Sequence, residues 1–246
     1  MLKKFLVLFF VIFFPLFLFA ENEMEEADKL FSESKFSLAE KAYTQFLKDK
    51  PLADAYRKRA NCFEQMGQYD KALSDYDNAV KADRTCFDAY YDKALLLYNT
   101  LKRKEDSMQA LEAAVKVGYS KKKDREPLVK IHVMRSYIHK GQNDLESAVK
   151  DLTHALYYTS DPVYFMLRGE LRKDLGQYSL AEIDFKKALS FLKEGDEESE
   201  ELIETIRDQL EECREEIKNQ KVPEVLPEPE VAKENLEALE QGPAEE

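Results

Sequence analysis

Tryptophan is absent from this chain, and histidine and cysteine occur only three times each. Glycine is also scarce, with seven in 246 residues. No glycine-rich loop follows a strand pattern, so no phosphate cradle is expected. The three histidines, His132, His139 and His154, do not share a helical turn and lack metal-ligand spacing. No nucleophile elbow is present. These absences predict a protein that is not an enzyme, with no catalytic residue, no cofactor and no metal. Cys62, Cys86 and Cys213 are odd in number, so they cannot all pair internally. Cys62 and Cys213 fall on apolar helix faces, where a free thiol acts as a small hydrophobe. A Cys62–Cys86 disulfide stays open as an alternative.

Long runs of positive charge are missing too. The most basic stretch, Lys121 to Glu126, is interrupted by acids and reads as a solvated loop. The net charge of −12 is concentrated at one end, since residues 194–246 carry 20 acidic and 5 basic side chains. Residues 21–193 are left nearly neutral at +1. Nucleic acid is excluded as an expected partner.

One long hydrophobic run is present. Lys3 and Lys4 precede an apolar stretch from Phe5 to Phe19, and Ala20 offers a small residue for cleavage. The stretch is shorter than the roughly 18 residues of a spanning helix. Residues 1–20 are therefore expected to be a signal peptide. The alternative is an uncleaved anchor, which would hold the chain near a membrane. Either way the protein is expected outside the cytosol, in a periplasmic or envelope compartment or secreted.

What fills the rest is a repeated phrase. "GQYDKALSDYDNAV" runs from Gly67 to Val80 and "GQYSLAEIDFKKAL" from Gly176 to Leu189. A third copy gives Ala39, Tyr43 and Phe46-Leu47. Two more worn copies end in Ala114-Val115 and Ala155-Leu156. Steps between equivalent pairs are 33, 35, 41 and 33 residues, a period that stacked helical hairpins require. The small Ala suits a close helix crossing. The Tyr or Phe four residues later lies one turn along the same face. Gly67 and Gly176 stand where one helix ends and the chain reverses. In the copy that ends in Ala114-Val115, Ser107 replaces the Ala, with extra residues before it.

The pattern Tyr56, Ala60, Phe63, Gly67, Tyr69, Ala72, Tyr76, Ala79 resembles the tetratricopeptide repeat family. So does Phe165, Gly169, Gly176, Tyr178, Ala181, Phe185, Ala188. The resemblance covers about 21–195, with units near 20–52, 53–86, 87–121, 122–161 and 162–195. It implies an all-α, right-handed superhelical solenoid of about five hairpins. Leu202, Ile206, Leu210, Cys213 and Ile217 mark an amphipathic helix within 196–221, fit to cap the last hairpin. Residues 222–246 hold four of eight prolines and eight Glu against one Lys, which predicts a disordered tail.

The resemblance also implies a concave wall of first helices that binds a protein or peptide partner. Carried onto this chain, that wall includes Arg57, Asn61, Tyr91, Leu95, Tyr98 and Asn99. Some family members clamp a terminal carboxylate. Arg57 and Asn61 fit part of that clamp, but Asp92 stands where an Asn belongs and would repel the ligand. The aromatic and amide surface suits a peptide held by packing and backbone hydrogen bonds. Ordinary packing between repeats is the alternative reading of these residues. Two functions are expected from such a chain: an extracytoplasmic adaptor for one partner, or a cochaperone or assembly factor that holds client polypeptides.

Overall fold

A computed structural model describes residues 23–118, 125–193, 195 and 197–220. The proposed signal peptide, most of the Lys121–Glu126 loop and the acidic tail lie outside these residues. Eleven α-helices and no strand occur among the described residues. They are α1 (23–32), α2 (Phe36–Asp49), α3 (Ala53–Gln65), α4 (Tyr69–Ala82), α5 (Phe87–Leu95), α6 (Lys104–Gly118), α7 (Glu126–Gly141), α8 (Leu145–Tyr158), α9 (Pro162–Asp174), α10 (Tyr178–Phe191) and α11 (Glu197–Asn219). No described helix is long and apolar enough to cross a membrane. The chain divides into two compact units, Met1–Ala110 and Leu111–Glu246, and the break falls inside α6.

The helix ends follow one rule. Five turns each place a residue in the left-handed region: Ser34, Gly67, Lys102, Asn143 and Gly176, at φ of 58°, 71°, 57°, 62° and 72°. At Gly67 the next amide, Gln68, donates back to Phe63 C=O at 2.8 Å, and Gln177 does the same to Arg172 beyond Gly176. These are Schellman closures, which satisfy carbonyls left open at a helix end. Glycine meets the geometry without strain. Ser34, Lys102 and Asn143 meet it at some cost, and the sequence pattern does not reveal them. Asp144 and Asp161 cap α8 and α9 by accepting from Ser147 N and Val163 N at 3.1 and 2.8 Å.

The repeated small residues lie where helices cross. Ala39, Ala72, Ser107, Ala148 and Ala181 are fully buried, and Ser107 Oγ donates to Ala94 C=O at 2.9 Å. Four residues on, Tyr43, Tyr76, Leu111, Leu152 and Phe185 are buried as well. Burying each such side chain contributes roughly 1.5–3 kcal/mol. A Cβ built on Gly169 would meet Phe185 Cε1 at 2.8 Å, so any larger residue there has to displace the buried ring. Ile206, Leu210 and Cys213 of α11 pack on Ala181, Phe185 and Ala188 of α10, which makes α11 a cap for the last hairpin.

The 35-residue step has a local cause. The end of the third first helix opens into a π-turn over Leu96–Thr100. There Leu101 N donates to Leu96 C=O at 3.1 Å. One extra residue is absorbed, and the packing positions on either side keep their register. All three cysteines are free. The alternative Cys62–Cys86 bridge is therefore not formed. Cys62 and Cys213 are buried, and burial pushes the Cys62 thiol up to about 12.

Candidate functional site

All six residues of the expected wall fall in the first unit. Arg57 and Asn61 are on α3, Tyr91 and Leu95 on α5, and Tyr98 and Asn99 on the π-turn. Asn99 is exposed and the other five are half-buried. Extra residues in helices often accompany functional surfaces, and this one carries two of the six.

Arg57 is already engaged. Its Nη2 donates to Asp54 Oδ1 at 2.9 Å and its Nη1 to Asp92 Oδ2 at 3.0 Å. Burial works against its charge, but these carboxylates outweigh burial and hold the guanidinium charged. Lys58 extends the row, reaching Asp28 at 2.7 Å and Asp54 at 3.2 Å. The ladder Asp28–Lys58–Asp54–Arg57–Asp92 ties α1, α3 and α5 together. Asn61 and Glu64 both face the buried Tyr76 hydroxyl, at 2.6 and 2.9 Å. That hydroxyl has one proton to give. Glu64 is pushed up by burial, which the hydrogen bond from Tyr76 offsets only in part. A carboxylate ligand would therefore meet a neutralised arginine and two acids. The residues left to make contact are Tyr91, Leu95, Tyr98 and Asn99.

A second arrangement was hidden in the sequence. Asp75, Asp151 and Asp184 are buried. Each precedes the large residue of its second helix, and each has an arginine sixteen positions upstream. Arg59 grips Asp75 with two bonds of 2.6 and 2.8 Å and donates to Thr44 of the preceding hairpin at 3.0 Å. Arg168 repeats this on Asp184, at 3.0 and 2.6 Å, and on Thr153 at 3.1 Å. Arg172 adds a bond to Asp184 at 2.9 Å. Such planar, charge-assisted pairs fix geometry as well as energy. They lock one hairpin to the next. The recurrence of Asp before Tyr, Leu or Phe was the available signal. A recess of about 550 Å³ opens beside Arg59 and Asp75, between α2, α3 and α4, apart from the six wall residues. Among the described residues no group of His, Cys, Asp or Glu is placed to hold a metal ion.

Consecutive antiparallel hairpins with these crossings define a helical repeat protein. Residues 53–86, 87–117, 129–162 and 163–191, just over half of the chain, match models of the tetratricopeptide repeat. The chain belongs to the tetratricopeptide repeat family. Among curated proteins it is 29% identical over 103 residues to the SGT1 homolog of Oryza sativa subsp. japonica, 41% of this chain and 27% of that one. It is 26% identical over 98 residues to the Hsp70-Hsp90 organizing protein of Triticum aestivum, 39% of this chain and 17% of that one. The chain thus spans about a quarter or less of these relatives. Among solved structures it is similar in fold to pilF of Pseudomonas aeruginosa, at 13% identity and TM-score 0.56, over 89% of this chain and 96% of that one. It is also similar to MamA, at 17% identity and TM-score 0.54, over 84% and 98%. YrrB, described as a TPR protein with an unusual peptide-binding site, gives 17% identity and TM-score 0.52, over 76% and 90%.

Proposed function

We propose that this chain is a non-catalytic adaptor outside the cytosol, which docks a protein segment on the first-helix wall of its first unit. The observation that carries this is the state of Arg57. Asp54 and Asp92 occupy it, so the wall offers Tyr91, Leu95, Tyr98 and Asn99, a surface for packing and amide contacts. The basic, apolar character of residues 1–20 supports the compartment.

Crosslinking in the native compartment and identifying the captured proteins tests the adaptor. One recurrent partner is expected. Tyr98→Ala should weaken its capture by about 1–2 kcal/mol, the size of a central contact. Its melting temperature should match the parent. If the melt falls and affinity per folded molecule holds, Tyr98 is packing and the wall is wrongly placed. Arg57→Ala is the poorer probe, because it also cuts the tie between α3 and α5. The compartment has its own check: mass measurement of the mature chain should show Glu21 at the start, and an intact Met1 on membranes would favour the anchor.

A second reading is a cochaperone that holds client polypeptides. Its support is the local relationship to an Hsp70-Hsp90 organizing protein. A client holder should retain many unfolded peptides weakly, so a panel of unrelated peptides separates it from an adaptor.

A further inference from the structure

We propose that the fourth hairpin is an acid-sensitive joint, in which protonation of His154 against His132 loosens α8 from α7. All three histidines of the chain meet here around one carboxylate. His132 Nδ1 lies 3.3 Å from Asp151 Oδ1, and His139 Nε2 lies 3.6 Å from Asp151 Oδ2. The His154 ring stacks on His132 with centroids 5.1 Å apart.

The sister hairpins show what these rings replace. In hairpins two and five the arginine grips its aspartate with two short bonds, as described above. In hairpin four Arg135 Nε stands 3.5 Å from Asp151 Oδ1, too far for a hydrogen bond. The buried atoms Asp151 Oδ2, His154 Nδ1, His139 Nδ1 and His132 Nε2 make no hydrogen bond either. The lock is therefore loose, and titratable rings fill it.

The charge count sets the sign. With neutral imidazoles, Arg135 and Asp151 balance. A proton on His154 then adds a positive charge to a half-buried site whose one buried carboxylate is already balanced. His154 stacks on the face of His132, and burial, followed by the charge of His132, holds its pKa below the ordinary value against the opposing pull of Asp151. A group depressed in the folded state contributes stability above its unfolded pKa, and that stability is lost as pH falls through about 6.5. Other charges do not reverse this. On α7, Lys140 adds positive charge near the end of the helix. At the α8 cap, the exposed Asp144 carboxylate lies 3.6 Å from His139 Nδ1, on the far side of that ring from Asp151, and so answers His139 and not His154. From α9, Arg168 reaches Thr153 but is neutralised by Asp184. Glu170 of α9 is pushed up by burial, so its protonation would strengthen the fold in acid.

Hydrogen exchange on the full chain at pH 7.5 and 5.5 tests the joint. After correction for intrinsic rates, protection in α7 and α8 should fall about tenfold, the limit for one imidazole of unfolded pKa near 6.5. Protection in α3 and α4, which contain no histidine, should hold. The sister hairpins supply the control, since Asn78 and Phe165 occupy the equivalent positions in the repeat register. The variant carrying His154→Asn and His132→Phe should keep its protection in acid. Equal losses in both hairpins of the parent, or an undiminished loss in that variant, would overturn the proposal. If the variant does not fold, NMR titration of the His154 ring in the parent decides. A midpoint below the ordinary value supports the joint, and one at or above about 6.5 refutes it.

Discussion

Asp184→Ala should lower unfolding stability by about 3–5 kcal/mol, the cost of breaking a buried ion pair by removing one partner. Asp184 is 1% exposed, and both of its cations, Arg168 and Arg172, are under 10% exposed. Asp184 pairs with both guanidinium groups, Arg168 at 2.6 Å and Arg172 at 2.9 Å. The variant would take this carboxylate away from two buried guanidinium groups at once. Asp75→Ala should cost less, because only Arg59 is stranded and its side chain keeps 17% exposure. Urea denaturation of both variants checks the order. A loss below about 1 kcal/mol for Asp184→Ala would mean that water reaches the site freely. Replacing Arg168, Arg172 and Asp184 together by apolar residues of similar volume should recover much of the loss, as buried ion pairs often trade evenly for packing.

Ala181→Leu should cost about 1–3 kcal/mol, through overpacking at a helix crossing. Ala181 is fully buried in the cluster shared by α10 and α11. The same cluster holds Phe185, whose ring already closes on Gly169. Added methylenes therefore have to push α10 away from a neighbour or force an off-rotamer side chain. Ala72→Leu meets the same constraint in hairpin two, where Ala60, Phe63 and Tyr76 surround it. Thermal melts that match the parent for both variants would show that the assigned crossing positions are wrong. The two changes lie in different compact units, so their losses should add.

The helical repeat was legible because it depends on local periodicity. A small residue followed four positions later by a large one specifies a buried face in any helix, and the chain writes that pair five times. Gly67 and Gly176 marked two reversals for an equally local reason. Ser107 could be placed because its helix kept the register, and its hydroxyl found a carbonyl to bond. The apolar stripe of α11 announced a cap, and α10 supplied the surface it covers.

Charged residues were a different matter. Asp75 and Asp77 flank the same Tyr76, yet only Asp75 is buried. Periodicity within one helix cannot separate them, because each lies about 100° from the buried stripe, on opposite sides. What separates them is the neighbouring helix, which brings Arg59 to one side and the solvent-reaching Lys93 to the other. The same holds for the wall, where Arg57 looked available and Asp92, thirty-five residues on, had already taken it. It holds for His132, His139 and His154 too, which share no turn but meet across α7 and α8. Helix type and register come from interactions within four residues and can be read along the chain. The partner of each buried charge comes from stacking one hairpin on another, and only the folded packing decides it.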